Sequence, residues 1–243
     1  MHKGQTSDAA EHVQLRVIAR ARTAFATKFG APRQSGLVEG LESRIVFEPE
    51  FRVREALRGL EGYDYIWALW SFSEAIRDDW SPTVRPPRLG GNVRMGVFAT
   101  RSPYRPNPLA LSSLRLLRIE ETADEGCVLV VDGADMMDGT PIYDIKPYLP
   151  FTDSHPNARA GFAAEKLADQ LAVDFPEALL ARLPAHLRRG ATRMLAQNPS
   201  PHYKHDASRV YGLAFAGFDL RFTIDGAQLT VVDVVSETGD EAP

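Results

Sequence analysis

Residues 138–150 read DGTPIYDIKPYLP and bring two carboxylates, Asp138 and Asp144, close in sequence to an amine, Lys146. Carboxylates held beside a lysine can move a proton in general acid–base chemistry. Gly139 permits an unusual turn, and Pro141 and Pro147 stiffen the flanks. The same spacing suits a capped turn with an internal Asp–Lys pair equally well. A second group of reactive side chains lies upstream. From Ser81 to Arg118 there is no Asp, Glu or Lys, but there are seven arginines (Arg85, Arg88, Arg94, Arg101, Arg105, Arg115 and Arg118) and six prolines. Arginine suits bidentate contact with phosphate or carboxylate. Proline-stiffened backbone loses less entropy when such a contact forms. The plain alternative is a solvated loop. PRQ at 32–34, RPPRLGGNVRMG at 85–96 and TRSPYRPNP at 100–108 also follow neither helical nor strand periodicity. Long loops of this kind usually carry sites on a rigid scaffold.

Other chemistries are disfavoured. The chain has no GxxxxGK[ST], no GxGxxG opening a helix, no GxSxG and no HExxH. His202 and His205 lie on an expected loop without a cysteine partner, and the single cysteine, Cys127, sits in an apolar run that reads as core. No metal site is therefore expected. The net charge of −4 over 243 residues argues against a globally basic nucleic-acid coat, though not against a local basic patch. No apolar run approaches membrane-spanning length, and MHKGQTSDAAEH lacks the apolar centre of a signal peptide. A cytoplasmic protein with no membrane partner is the expectation.

The elements that must position these segments are mostly strands at first. Residues 13–18, 43–47, 63–72, 95–100, 109–119 and 127–131 read as strands, and 52–60 as a short helix. No regular helices separate the strands, which argues against a doubly wound parallel sheet. After Pro156 the texture changes. Residues 162–173 and 177–197 have helical spacing, with Asp174 a candidate cap, Pro176 in a first turn and a break at Pro184. Strands at 210–215 and 220–224 follow, and Asp225-Gly226 is a strong hairpin signal. The acidic tail SETGDEAP reads as frayed. The expected organisation is a mainly β domain over 13–156 and a small α+β domain over 157–243.

GVFATRSPYRPNPLALS (96–112) and DGTPIYDIKPYLPF (138–151) closely resemble the TsaA-like methyltransferase family, tRNA methyltransferase O. KFGAPRQSGL (28–37), RDDWSPTVRPPRLGGNVRMG (77–96), LAQNPSPHYK (195–204) and VYGLAFAGFDLRF (210–222) match as well, so the similarity covers nearly the whole chain. It implies an N-terminal antiparallel β-barrel, unlike Rossmann-type methyltransferases, with a smaller C-terminal α+β domain. It further implies a homodimer that binds S-adenosylmethionine near the subunit interface and methylates N6 of threonylcarbamoyladenosine beside the tRNA anticodon, in certain threonine tRNAs. Carried over by position, Pro32, Arg33, Gln34, Ser73, Glu74, Arg101, Leu111, Ala134 and Asp135 would contact the cofactor. Thr23-Ala24, Ala110 and Ser73 depart from residues common in the family.

Threonylcarbamoylation makes N6 a urea-like nitrogen with a delocalised lone pair, so a base that removes its proton would help attack. Asp138 is the first candidate, Asp144 the second, and Lys146 would orient the carboxylates or meet a substrate anion. Arg85, Arg88 and Arg105 would meet phosphates or the threonyl carboxylate, with Asn107 beside them. Tyr104, Tyr143 and Tyr148 are available for base stacking. Two alternatives stay open: a cofactor-binding RNA-binding or regulatory protein without turnover, and a methyltransferase of the same fold with another substrate.

Overall fold

The computed structural model describes residues 13–74, 79–86, 93–166, 170–199 and 207–237. The chain is mainly β with short helices. Its first part contributes β1 (Ala19–Arg22), β2 (Ser43–Phe47), β3 (Tyr65–Ser71), β4 (Thr83–Val84), β5 (Met95–Gly96), β6 (Leu109–Thr122), β7 (Gly126–Asp132) and β8 (Pro141–Pro147). Six of these pair in the order β1-β2-β7-β6-β3-β8, and β8 returns to β1, so the sheet closes on itself. Every pairing in the circuit is antiparallel. Ala19, Ile45, Ile66, Leu114, Leu129 and Ile142 fill its interior.

The first strand begins later than its apolar residues suggest. Val13 is 82% exposed, and the ladder starts at Ala19, where small Ala19 and Ala21 point inward and Arg20 and Arg22 outward. Alanine has little β propensity, so the alternation is easily passed over. The expected helix at 52–60 is instead three short 3-10 turns, Pro49–Phe51, Arg54–Leu57 and Leu60–Gly62. The expected strand at 95–100 is shorter, because a 3-10 turn at Val97–Ala99 follows β5.

The largest correction concerns DGTPIYDIKP, which lacks strand periodicity yet forms β8 between β1 and β3. Its register shifts at Tyr143, so Leu69 faces Asp144 while Trp70 faces Ile142. An extra residue of this kind resets the alternation. Ile142 and Ile145, three positions apart, therefore both pack on the core. Pro141 and Pro147 occupy the ends of the strand, where proline is tolerated.

α1 (Pro150–Asp153) closes the first part, and the second holds β9 (Ala172–Asp174), α2 (Glu177–Leu180), α3 (Ala185–Ala196), β10 (Tyr211–Phe215), β11 (Phe218–Asp225) and β12 (Gln228–Ser236). Its sheet runs β10-β11-β12-β9, with β9 parallel to β12. A single helix at 162–173 does not form. A 3-10 segment at Gly161–Lys166 precedes β9, whose Val173 packs on the second core. Asp174 ends β9 and caps nothing; Pro176 is the N-cap of α2. The break at Pro184 stands where α3 begins, and Leu187, Gly190, Ala191, Met194 and Leu195 form its buried stripe. Asp225-Gly226 turns the β11–β12 hairpin, with Asp225 facing Gln228. His202, His205 and the tail from 238 lie outside the described residues.

Phe25, Val38 and Leu41 of the β1–β2 connection belong to the second core, alongside Leu183, Leu213 and Phe215. That connection therefore bridges both parts. Gly30 sits so close to Leu213 that a Cβ there would lie 2.3 Å from its Cδ1.

Candidate active site

Two loops run side by side at one end of the closed sheet. The Gly36 amide donates to the Gly133 carbonyl at 2.9 Å, and a Cβ on Gly133 would lie 3.0 Å from that amide nitrogen. Gly133 also has φ of +79°, so only glycine fits without strain. Asp132, buried at the end of β7, accepts from the amides of Gly40 at 2.9 and 3.0 Å, Leu41 at 3.2 Å and Gly133 at 2.8 Å. One carboxylate thus anchors the loop at 31–41 to the loop at 133–137.

These loops form one wall of a cavity of about 600 Å³, whose other walls are β3, the segment at 72–74, residues 101–105 and the start of β6. That size is usual for a small-molecule or cofactor site. The walls are largely apolar. Leu69 and Leu111 stand opposite each other across β3 and β6. Trp67 donates its indole N–H to Asp153 Oδ2 at 2.7 Å and packs against Tyr148, so its ring is fixed. The Leu149 amide and this indole hold the Asp153 carboxyl below its ordinary range.

Asp135 is the carboxylate placed deepest in this apolar setting. The indole N–H of Trp70 donates to Ser112 Oγ at 2.9 Å, and Ser112 Oγ donates to Asp135 Oδ1 at 2.6 Å. Burial pushes the Asp135 carboxyl up to about 6, against the pull of Ser112, the amides of Asp135 and Ser35, and the charge of Arg101. Arg101 in turn donates to Gln34 Oε1. Lys28, Arg33, Arg105 and Glu74 also reach the cavity.

Of the residues expected at the cofactor, Pro32, Arg33, Gln34, Ser73, Glu74, Arg101, Leu111 and Asp135 line this cavity. Ala134 lies beneath, packed in the first core. The residues expected at the substrate are scattered. Arg105 reaches the cavity, but its Nη2 donates to the carbonyls of Val97 at 3.2 Å and Thr100 at 2.8 Å, so it braces its own loop. Asn107 is exposed in a turn whose carbonyl accepts from Leu109. The Tyr104 carbonyl accepts from the Ser81 amide. Arg85 follows β4 and is exposed, and Arg88 lies outside the described residues. Tyr143 shares a hydrogen bond with Ser71 at 3.0 Å, and Tyr148 packs against Tyr65 and Trp67.

The residues expected to move protons do not share one site. Asp138 Oδ1 accepts from the Thr23 amide at 3.0 Å, with Arg22 at 3.8 Å from Oδ2, which staples the turn to the end of β1. Asp144 and Lys146 pair with each other at 2.8 Å. None of the three is among the cavity-lining residues. Missed from the sequence were Ser112 and Trp70, read only as strand residues, and Leu69. Leu111, which the sequence did point to, is 51% exposed on the strand face where a polar residue would be ordinary.

Among the described residues no group of His, Cys, Asp or Glu is arranged to hold a metal ion, and no helix is long and apolar enough to cross a membrane.

The same architecture occurs in known proteins. Residues 20–154 match the profile of the tRNA-methyltransferase O N-terminal domain, and residues 168–237 that of the TrmO C-terminal domain. The chain is 37% identical over 226 residues to a tRNA (adenine(37)-N6)-methyltransferase of Escherichia coli, covering 90% of this chain and 96% of that one. It is 43% identical over 177 residues to one from Eikenella corrodens, covering 73% and 99%. Two solved structures of TrmO from Pseudomonas aeruginosa superpose with TM-scores of 0.75 and 0.74 at 30% identity, covering 93% of this chain and 97% and 100% of theirs. The matched pattern spans the cavity loops, the closed sheet and the C-terminal sheet together, and this chain belongs to the tRNA-methyltransferase O family.

Proposed function

We propose that this chain is an S-adenosylmethionine-dependent methyltransferase acting on N6 of adenine 37 in tRNA, with the threonylcarbamoylated base of threonine tRNAs as its substrate. The observation that carries this reading is the cavity of about 600 Å³, which gathers eight of the nine residues expected at the cofactor. The fit to the cofactor is chemical as well. An apolar cleft containing a half-buried carboxylate suits a ligand with an aromatic base at one end and positive charge at the other.

When bound, S-adenosylmethionine supplies an activated methyl group on a sulfonium sulfur. The chain's own residues do the rest. Leu69, Leu111 and the fixed Trp67 ring give apolar contact, and the Asp135 carboxylate meets positive charge. Gln34, held by Arg101, keeps the first loop closed over the cavity. Fixing the nucleophile against the methyl group supplies much of the acceleration for such a transfer. For the N6 proton the geometry favours Asp135, which faces the cavity, over Asp138, whose carboxylate holds a turn. Asp138→Asn is therefore expected to keep methyl transfer within about tenfold of wild type, below the ~10²–10⁴-fold loss typical of a missing general base. A larger loss, with cofactor binding intact, would return the base role to Asp138.

We assign residues 13–156 to a cofactor-binding β-barrel domain and 157–243 to a C-terminal α+β domain. The closed strand circuit and the two separate family matches support this. A homodimer in the cytoplasm, contacting the anticodon loop, completes the reading. Arg85 belongs to the RNA footprint in this account. Arg85→Ala is expected to weaken tRNA binding and to make the salt dependence shallower by about one counterion. Titration at several salt concentrations checks it, and an unchanged slope removes Arg85 from the footprint.

The direct test of activity is transfer of labelled methyl from the cofactor to tRNA carrying threonylcarbamoyladenosine or guanine at position 37. Label is expected on the threonylcarbamoyladenosine form alone. Cofactor binding without label on either tRNA would favour a regulatory or RNA-binding role without turnover.

A further inference from the structure

Trp80 and Phe98 stack on each other, with ring centroids 6.1 Å apart and planes inclined by 25°. Both are open to solvent, Trp80 at 48% and Phe98 at 75%. Two large aromatic rings kept exposed and stacked are costly unless they serve a partner.

The frame beneath them is stiff. The Ser81 amide donates to the Tyr104 carbonyl at 3.1 Å, and Ser81 Oγ donates to the Thr83 carbonyl at 2.6 Å. The Val97 amide donates to the Pro82 carbonyl at 3.0 Å, which ties the two rings' segments together. Thr100 and Arg105 both donate to the Val97 carbonyl, immediately before Phe98. The pair is thus preorganised, so little side-chain entropy is lost when something stacks on it.

The surroundings select the partner. β4 and β5 form a two-stranded ribbon that starts beside the rings, and exposed Arg85 and Arg94 flank its far end. Arg94 donates to Thr83 Oγ1 at 3.2 Å, which directs it along the ribbon. Asp79 immediately precedes Trp80, and the next acid in sequence after it is Glu120. Open ring faces beside arginines on a fixed frame match a single-stranded nucleic acid, whose bases stack on aromatics while its phosphates meet the arginines. A second copy packed face to face on this patch would instead set these arginines against their own kind.

We propose that the Trp80–Phe98 pair is a base-stacking platform for an unpaired stretch of RNA next to the cavity. The inference rests on the tRNA reading above and names the surface that would hold a flanking loop base. Phe98 lies three residues before Arg101, which lines the cavity, so a nucleotide stacked there is close to one presented for methylation.

The test is binding of the full chain to a fluorescently labelled anticodon stem-loop, read by anisotropy. Trp80→Ala and Phe98→Ala are expected to weaken binding roughly 5- to 100-fold, the usual effect of losing one base stack. Trp80→Phe is expected to stay within about threefold, because a ring remains. The salt slope is expected to be unchanged in all three variants, since no phosphate contact is lost. Unchanged affinity in Trp80→Ala and Phe98→Ala, or no wild-type affinity for the stem-loop, overturns the platform. So does a change of sedimentation mass in the alanine variants with RNA affinity retained, which assigns the rings to self-association. Failure of the functional reading looks different: wild type would bind the stem-loop with ring-dependent affinity and transfer no methyl group to tRNA.

Discussion

Asp135→Asn is expected to give a protein that is more stable than wild type at pH 7 and unable to transfer methyl groups. Burial raises the Asp135 carboxyl from its ordinary 3.8 to about 6, so the folded state holds the charged form at a cost. Converted by the usual relation, the cost at neutral pH is on the order of 3 kcal/mol. The sign follows from proton counting. Between about pH 4 and pH 6 the folded chain binds this proton and the unfolded chain does not, so wild-type stability rises as pH falls through that window. The advantage of Asp135→Asn should therefore be largest above pH 6 and vanish near pH 4. Denaturant titrations at several pH values check it, and an Asn variant less stable than wild type at pH 7 would contradict it. Sites that keep strained or desolvated groups for function commonly trade stability in this way.

The loss of function should have its own pH signature. If Asp135 faces positive charge on the cofactor, wild-type cofactor affinity falls as pH drops below about 6. Ser112→Ala removes the hydroxyl that opposes burial, so the midpoint should move to higher pH; Ser112→Thr should restore it. Arg101, drawn toward Gln34, contributes the other nearby charge, and Arg101→Gln should shift the midpoint in the same direction. Calorimetry of cofactor binding across pH separates these effects from simple misfolding.

The second large effect concerns Asp132. Its carboxylate accepts from the amides of Gly40, Leu41 and Gly133, and it is buried. Asp132→Ala leaves those donors without an acceptor, at ~1–3 kcal/mol for each one that water cannot reach. The expected destabilisation is about 3–5 kcal/mol, or roughly 10 °C in Tm for a chain of this size. Asp132→Asn keeps one acceptor oxygen and should lose about half as much. Cofactor affinity should fall with stability, because the same carboxylate sets the two cavity loops against each other. A Tm within about 2 °C of wild type would show that the loops are held by other means.

Much of this was legible in the residues. The strand at Ser43–Phe47, the Asp225-Gly226 hairpin and the break at Pro184 follow from local chemistry alone. The motif stretches identified the family, and with it the loops that meet at the cavity. Non-local events were hidden. The bulge at Tyr143 depends on pairing with Leu69 and Trp70, and it converted an apparently irregular proline-rich segment into β8. The turn-holding contact of Asp138 was hidden for a related reason, since its Thr23 partner is far away in sequence. Ser112 looked like one more strand residue until Trp70 and Asp135 were seen on either side of it. The exposed Trp80–Phe98 stack likewise arises only when β4 meets β5.

The most direct test of the central claim is nucleoside analysis of tRNA after incubation with the protein and S-adenosylmethionine. Two tRNA pools are needed, one carrying the threonylcarbamoyl group at adenine 37 and one lacking it. The expected result is an N6-methylated threonylcarbamoyladenosine, formed from the first pool by wild type and absent with Asp135→Asn. Methylation of both pools alike, or of neither when cofactor binding is intact, would contradict the account.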